Sequence, residues 1–197
     1  MPRPDVRDER RQQILDAAAR VFAQKGLDAA RMEDIARDAG LSIGGLYWYY
    51  KGKQEVMADL LAHLIDPDLA GLRALLDAPG SLRRRLSEYI QTWAGPAQAY
   101  QPVVYEFYSL AARDAQARAH LQVYLHSYRA ILADLIRQAV ASGELAEVDP
   151  ETAALLLAAV YEGLFELRMI DPEHMDVAGQ VEGVLDLVWM GLERKPK

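Results

Sequence analysis

The sequence predicts an all-α fold. Apolar residues recur at three- and four-residue spacing, no stretch sustains period-two alternation, and glycine and proline fall between the periodic segments. Ile14, Ala18, Val21 and Phe22 form one stripe of a first helix over residues 7–25, with Gly26 placed to end it. Met32, Ile35, Ala36 and Ala39 face inward on a short helix over 31–39, closed by Gly40, and a shorter one covers 42–50. A longer helix starts at Lys53 and runs to about residue 65, where Asp66-Pro67 breaks or kinks it before 69–76. Ser81 is placed as the N-cap of 82–93, and helices follow over 102–112 and 117–141. Asp149-Pro150 and Asp171-Pro172 each set an acid before a proline at N1, opening helices over 151–169 and 173–192.

At 197 residues, 51% hydrophobic and 26% charged, the chain can form one sizeable core or a small domain joined to a larger one. The absence of cysteine excludes disulfides, thiolate metal sites and cysteine nucleophiles, and makes a cytoplasmic location the expectation. The opening MPRPDVRDERRQQ has no apolar core of a secretory signal, and no apolar run approaches the ~20 residues of a membrane span. The net charge of −7 is unevenly placed: residues 1–56 carry +1 and residues 57–197 carry −8. Acidity in the second part leaves the first free to hold a local basic face.

Residues 31–50 form a unit. Gly40 can reverse the chain between two helices, and Leu41, Leu46 and Tyr50 cover one apolar centre. Helix, glycine turn and short helix make a helix-turn-helix, whose second helix is the one that enters a major groove. Opposite Leu46 and Tyr50 lie Gly44, Gly45 and Trp48, with Ser42 and Tyr49 on a flank. Two helical glycines cost about 1 kcal/mol each relative to alanine, which a backbone that must approach base edges can accept. Tyr47, Trp48 and Tyr49 offer rings to sugars and thymine methyls and hydroxyls to phosphates, and Lys53 offers an ammonium at the next helix start.

The stretch ILDAAARVFAQKGLDAARMEDIARDAGLSIGGLYWYYKGKQEVM resembles the DNA-binding domain of the TetR (tetracycline-repressor-like) family of transcriptional regulators. Ile-Leu-x-Ala-Ala with Phe22 and Gly26, Ile35-Ala36, Ala39-Gly40-Leu41-Ser42, Leu46-Tyr47 and Lys53 carry the resemblance. It implies a three-helix DNA-binding domain over 1–53, with its reading helix at 42–50. A larger helical domain over 54–197 would dimerise and bind a small effector. Carried over by position, Ser42, Ile43, Gly44, Gly45, Tyr47, Trp48, Tyr49 and Lys53 become DNA contacts. Arg31 stands where relatives often carry a hydroxyl cap, and is expected to touch phosphate instead. Ile43 is often polar in relatives, and its helical phase leaves core flank and thymine-methyl contact both open.

Residues 151–169 are apolar over more than half the helix circumference, and 173–192 are similar. Packed on a two-fold copy they would form a four-helix interface, and the family places its dimer contact on this last pair. Leu156, Ala159, Val160, Gly163, Leu167, Val181, Val184, Leu185 and Val188 are the expected contacts, with internal core as the other reading. Between lie Tyr89, Trp93, Tyr105, Tyr108, Tyr124, Tyr128, Tyr161 and Phe165, with Glu106 nearby, suiting an aromatic or cationic effector.

No His-Glu-x-x-His, Gly-rich phosphate loop or Gly-x-Ser-x-Gly occurs, so neither enzymatic activity, a metal nor a cofactor is expected. The reading is a homodimeric regulator, repressor rather than activator, released from a palindromic double-stranded operator by a small molecule, with Asp66-Pro67 as a hinge. The alternative is a helical dimer that binds ligand or protein and has lost DNA binding.

Overall fold

The computed structural model describes residues 6–93 and 101–192, without the side chains of Val6, Trp93, Val177 and Ala178. Trp93, expected in the effector pocket, therefore has its side chain outside the described residues. The described residues form helices α1 (Val6–Ala29), α2 (Met32–Asp38), α3 (Ile43–Tyr49), α4 (Lys53–Ala74) and α5 (Leu82–Trp93). The order continues with α6 (Gln101–Ala111), α7 (Ala115–Ala141), α8 (Pro150–Ile170) and α9 (Val177–Leu192).

Gly26 interrupts α1 as expected, taking φ +78° and ψ 160° inside its span, whereas two other expected boundaries differ. α4 runs without interruption through Pro67. The missing N–H of Pro67 is tolerated because the next turns are anchored: Asp68 is buried and Leu72 is fully buried. Pro67 is therefore not a break. The second Asp-Pro pair also behaves unlike the first. Asp149 caps α8 by accepting from the Thr152 N–H at 2.9 Å, with Pro150 in the first turn. Asp171 instead ends α8, its N–H donating to the Leu167 carbonyl, and α9 opens only at Val177.

Among the described residues, packing groups 6–67 and 101–121 into one compact unit and 68–93 and 122–192 into another. The division falls inside α4, between Pro67 and Asp68.

In the first unit, Ile14, Phe22, Ile35, Leu46, Tyr50, Leu60 and Phe107 fill a core built by α1–α4 and α6. Side chains of this size contribute about 1.5–3 kcal/mol each on full burial. In the second unit, α5 packs on α9, with Leu82, Val181, Leu185 and Trp189 buried. Arg83 clamps that contact from α5, reaching Glu182 at 2.9 Å and Asp186 at 2.7 Å. Ser81 caps α5 as expected, accepting weakly from the Arg84 N–H at 3.3 Å. Glu144 supplies stronger capping, accepting from the Leu82 N–H at 2.9 Å.

Candidate functional site

The helix-turn-helix is built from the turn outward. Gly40 takes φ +64°, a left-handed conformation that glycine adopts without a Cβ clash. It lets the Leu41 N–H reach the Ala36 carbonyl at 2.8 Å and the Gly40 N–H reach Arg37 at 3.2 Å, the paired bonds of a Schellman stop. Gln13 of α1 donates to the Ala39 carbonyl at 2.7 Å and ties the turn to the first helix. Ser42 then caps α3, its hydroxyl accepting from the Gly45 N–H at 3.1 Å.

α3 is divided sharply by burial. Leu46 and Tyr50 are 0% and 1% exposed, and the Tyr50 hydroxyl donates to Asp59 of α4 at 3.1 Å. Arg11 of α1 pairs with Asp59 and lies 5.5 Å over the Tyr50 ring, so both its neighbours raise its pKa. On the opposite side, Trp48 is 63% exposed, Tyr47 44% and Ile43 39%. Ile43 therefore lies at least partly outward. A Cβ added to Gly44 would meet nothing within 4 Å, so this side of the helix backbone stands open. The Trp48 and Tyr49 rings pack edge to face at 4.7 Å, and Arg7 lies 5.5 Å over Trp48.

Lys53 does not present a free ammonium: Nζ donates to the carbonyls of Leu27 at 2.8 Å, Asp28 at 2.9 Å and Ala30 at 3.1 Å. An ammonium has three donors, and here all three fasten the stretch from the last turn of α1, past Gly26, to Ala30 before α2. Arg31, at the N-cap of α2, offers no acceptor. Asp34 at N3 reaches back to the Arg31 N–H at 3.2 Å, replacing the missing hydroxyl cap by the return half of a capping box. Lys25, 2.7 Å away, is the main cause holding the Asp34 carboxyl below its ordinary pKa. The Arg31 side chain is left at the surface.

In the second unit five aromatic rings meet around a carboxylate that the sequence did not single out. Asp68 is 4% exposed and accepts from Tyr124 at 2.7 Å, Tyr161 at 3.5 Å and Tyr89. Gly71, one helical turn on, leaves room for the Tyr89 ring, whose edge lies 3.3 Å from where a Cβ would sit. Tyr161 joins the rings: its centroid is 6.2 Å from Tyr89, 5.7 Å from Tyr128 and 4.7 Å from Phe165. Burial raises the Asp68 pKa, and the tyrosine hydrogen bonds only partly oppose it.

Other expected effector contacts do not join this cluster within the second unit. Glu106 is committed elsewhere, its carboxylate accepting from the Leu27 N–H at 2.9 Å in the first unit. Tyr105 and Tyr108, in that same unit, pair edge to face at 5.7 Å.

The expected dimer residues also separate by burial. Leu156 and Leu167 of α8 are 44% and 55% exposed, and Ala159 is exposed, with Val160, Gly163, Val184 and Val188 intermediate. Val181 and Leu185 are 0% and 1% exposed and belong to the core of the second unit, because α9 turns that side toward α5. Leu155, Ile170, Leu187 and Met190 extend the outward apolar surface instead.

Residues 14–60 match the model for bacterial regulatory proteins of the tetR family, and residues 81–189 match that for the C-terminal part of a BetI-type transcriptional repressor. The chain belongs to the TetR family. It is 32% identical over 177 residues to the HTH-type transcriptional regulator SrpR of Pseudomonas putida, covering 80% of this chain and 76% of SrpR. Among solved structures it resembles SmeT, the repressor of the Stenotrophomonas maltophilia multidrug efflux pump SmeDEF. That match has a TM-score of 0.77 at 24% identity and covers 94% and 91% of the two chains. A regulator from Saccharomonospora viridis in complex with choline aligns at TM-score 0.81 and 19% identity, over 95% and 100%.

As a TetR-family member the protein is a ligand-responsive DNA-binding transcriptional regulator. The Asp68 cluster has no local signal in the sequence. Asp68 lies 21, 56 and 93 positions from the three tyrosines whose hydroxyls it accepts. Lys51, exposed just before α4, carries an ammonium that is not held by the α1–α2 carbonyls, and matching by position selects Lys53 in its place.

Proposed function

We propose that the protein is a cytoplasmic homodimeric repressor whose DNA-binding part is residues 1–53 and whose residues 54–197 bind effector and dimerise. Ser42, Ile43, Gly44, Gly45, Tyr47, Trp48 and Tyr49 touch a palindromic operator, with Arg31 and Lys51 on phosphates. The observation that carries this reading is the open backbone at Gly44 beside a Trp48 that is 63% exposed. A helix that leaves its largest ring in solvent, next to a bare main chain, fits a groove better than a core. The repressor assignment is supported by the matched C-terminal family and by SmeT.

Two-fold pairing through Leu156, Ala159, Gly163, Leu167 and Ile170 would cover the outward apolar stripe of α8, whose spacing of three and four keeps it on one side. The dimer also supplies the two reading helices that successive major grooves require, about 34–36 Å apart. The effector is a small, mostly apolar molecule bearing a positive charge, received by Asp68 and the rings of Tyr89, Tyr124, Tyr128, Tyr161 and Phe165. A buried carboxylate lined by ring faces is the chemistry that recognises an organic cation, and the choline-bound relative is consistent with it. Function is by binding, with no reaction catalysed.

Sequencing of genomic fragments retained by the purified protein tests the reading. Enrichment of one palindrome, with release by choline or a related ammonium that Asp68→Asn abolishes, is the expected result. Retention without sequence enrichment refutes operator reading, and release unaltered by Asp68→Asn refutes the effector site.

A further inference from the structure

The first unit contains a cavity of about 270 Å³ between the start of α4 and the corner where α6 meets α7. Met57 and Leu61 of α4, with Phe107 and Leu110 of α6, give it an apolar wall. Asp28, Lys53 and Asp114 stand among its polar lining. We propose that this cavity is a second small-molecule site, separate from the Asp68 cluster, and that it takes a compact aromatic amine.

Size and polarity decide the class. Drug-sized pockets run to about 300–1,000 Å³, so this one admits a molecule of about one ring. The one lysine in the wall has its three donors engaged by the carbonyls of Leu27, Asp28 and Ala30. Asp28 gives one oxygen to Arg113 at 2.9 Å, and Asp114 gives one to the Ala117 N–H at 2.7 Å. Each carboxylate keeps its second oxygen for a further donor. Beside Gln54, Gln116 and His120, which can donate or accept, the lining holds two carboxylates and a saturated ammonium, which selects a cationic donor over a carboxylate ligand.

The position gives such a ligand something to act on. Lys53 holds the carbonyls of the α1–α2 joint, and Glu106 holds its Leu27 N–H at 2.9 Å. The Glu106 carboxylate lies 3.6 Å from where a Cβ of Gly26 would sit, and Gly26 takes φ +78° at that joint. A molecule in the cavity therefore touches both the joint that sets α1 against α2 and the helix that braces it. It alters DNA affinity by its differential affinity for two arrangements of that joint.

The test uses the full-length protein with ¹³C-labelled methionine methyls, the Met57 signal being assigned by Met57→Leu. Benzylamine, benzyl alcohol and benzoate are titrated in turn. Benzylamine is expected to move the Met57 signal, with benzoate inactive. Asp114→Asn, which retains an N-cap side chain, is expected to weaken benzylamine about tenfold, the scale of one hydrogen bond to a charged group. Ala58→Trp, which fills the cavity, is expected to abolish the shift. An unmoved Met57 signal, an equal response to benzoate, or a response that survives Ala58→Trp would overturn the assignment. Operator affinity measured on the same samples reports separately on the DNA-binding reading.

Discussion

On α3 the rings of Tyr47 and Trp48 are 44% and 63% exposed, whereas in the second unit Tyr89 and Tyr124 are 5% and 6% exposed with their hydroxyls on Asp68. The residue chemistry is nearly the same and its employment is opposite. In the first region the backbone beside the rings is bare and much of the ring surface faces solvent, so the rings are available to another molecule. In the second each hydroxyl is satisfied inside the protein, so the rings become available only to a ligand that replaces those bonds. Aromatic content therefore marks an open binding surface where the neighbouring backbone and carboxylates leave it unanswered, and a closed one where they do not.

The contrast within α3 is the largest to test. Leu46→Ala removes a fully buried side chain and is expected to lower unfolding free energy by about 2–5 kcal/mol in urea denaturation. A cost near zero would show that the inward side of α3 is not core.

The tyrosine cluster is the next. Tyr124→Phe deletes a donor to a buried carboxylate and is expected to cost about 1–2 kcal/mol. Because burial raises the Asp68 pKa, protonation is more favourable in the folded state than in the unfolded chain. Its contribution to stability is full below the ordinary aspartate pKa and is lost as pH rises through the raised value. Asp68→Asn should flatten that decline. A pH–stability curve with the same slope in both proteins would contradict the assignment.

The two lysines flanking Gly52 sharpen the DNA side. Lys53→Met is expected to destabilise the first unit by about 1 kcal/mol while leaving the salt dependence of DNA binding unchanged. Lys51→Ala should do the reverse, reducing the salt slope by about one unit for the phosphate that its ammonium no longer neutralises. Gly44→Ala acts in opposite directions on folding and on binding. The site is open, so the added methyl should stabilise α3 by up to about 1 kcal/mol while weakening operator binding in a gel shift.

Most of the fold was legible because its signals are local. Helical spacing placed every described helix, Gly40 marked the turn, and Asp149-Pro150 opened α8 where the same pair at Asp171-Pro172 did not. The difference is tertiary: the residues after Pro172 turn before α9 begins, and Asp171 is used to close α8. Pro67 misled for a related reason, since buried residues on its C-terminal side carry the helix past a missing N–H. At the site, the outward set on α3 could be read from one short segment. Asp68 could not, because its partners come from α5, α7 and α8. The commitment of Lys53 and Glu106 to backbone groups of the α1–α2 joint was equally invisible, as nothing in a sequence shows which carbonyls or N–H groups a fold leaves unpaired.

Trp48→Ala tests the central claim most directly, with affinity for the enriched duplex and urea unfolding measured on the same preparation. The account predicts an unfolding midpoint that scarcely moves, within about 0.5 kcal/mol, and operator affinity at least about tenfold weaker. Unchanged affinity in a fully folded variant would contradict it.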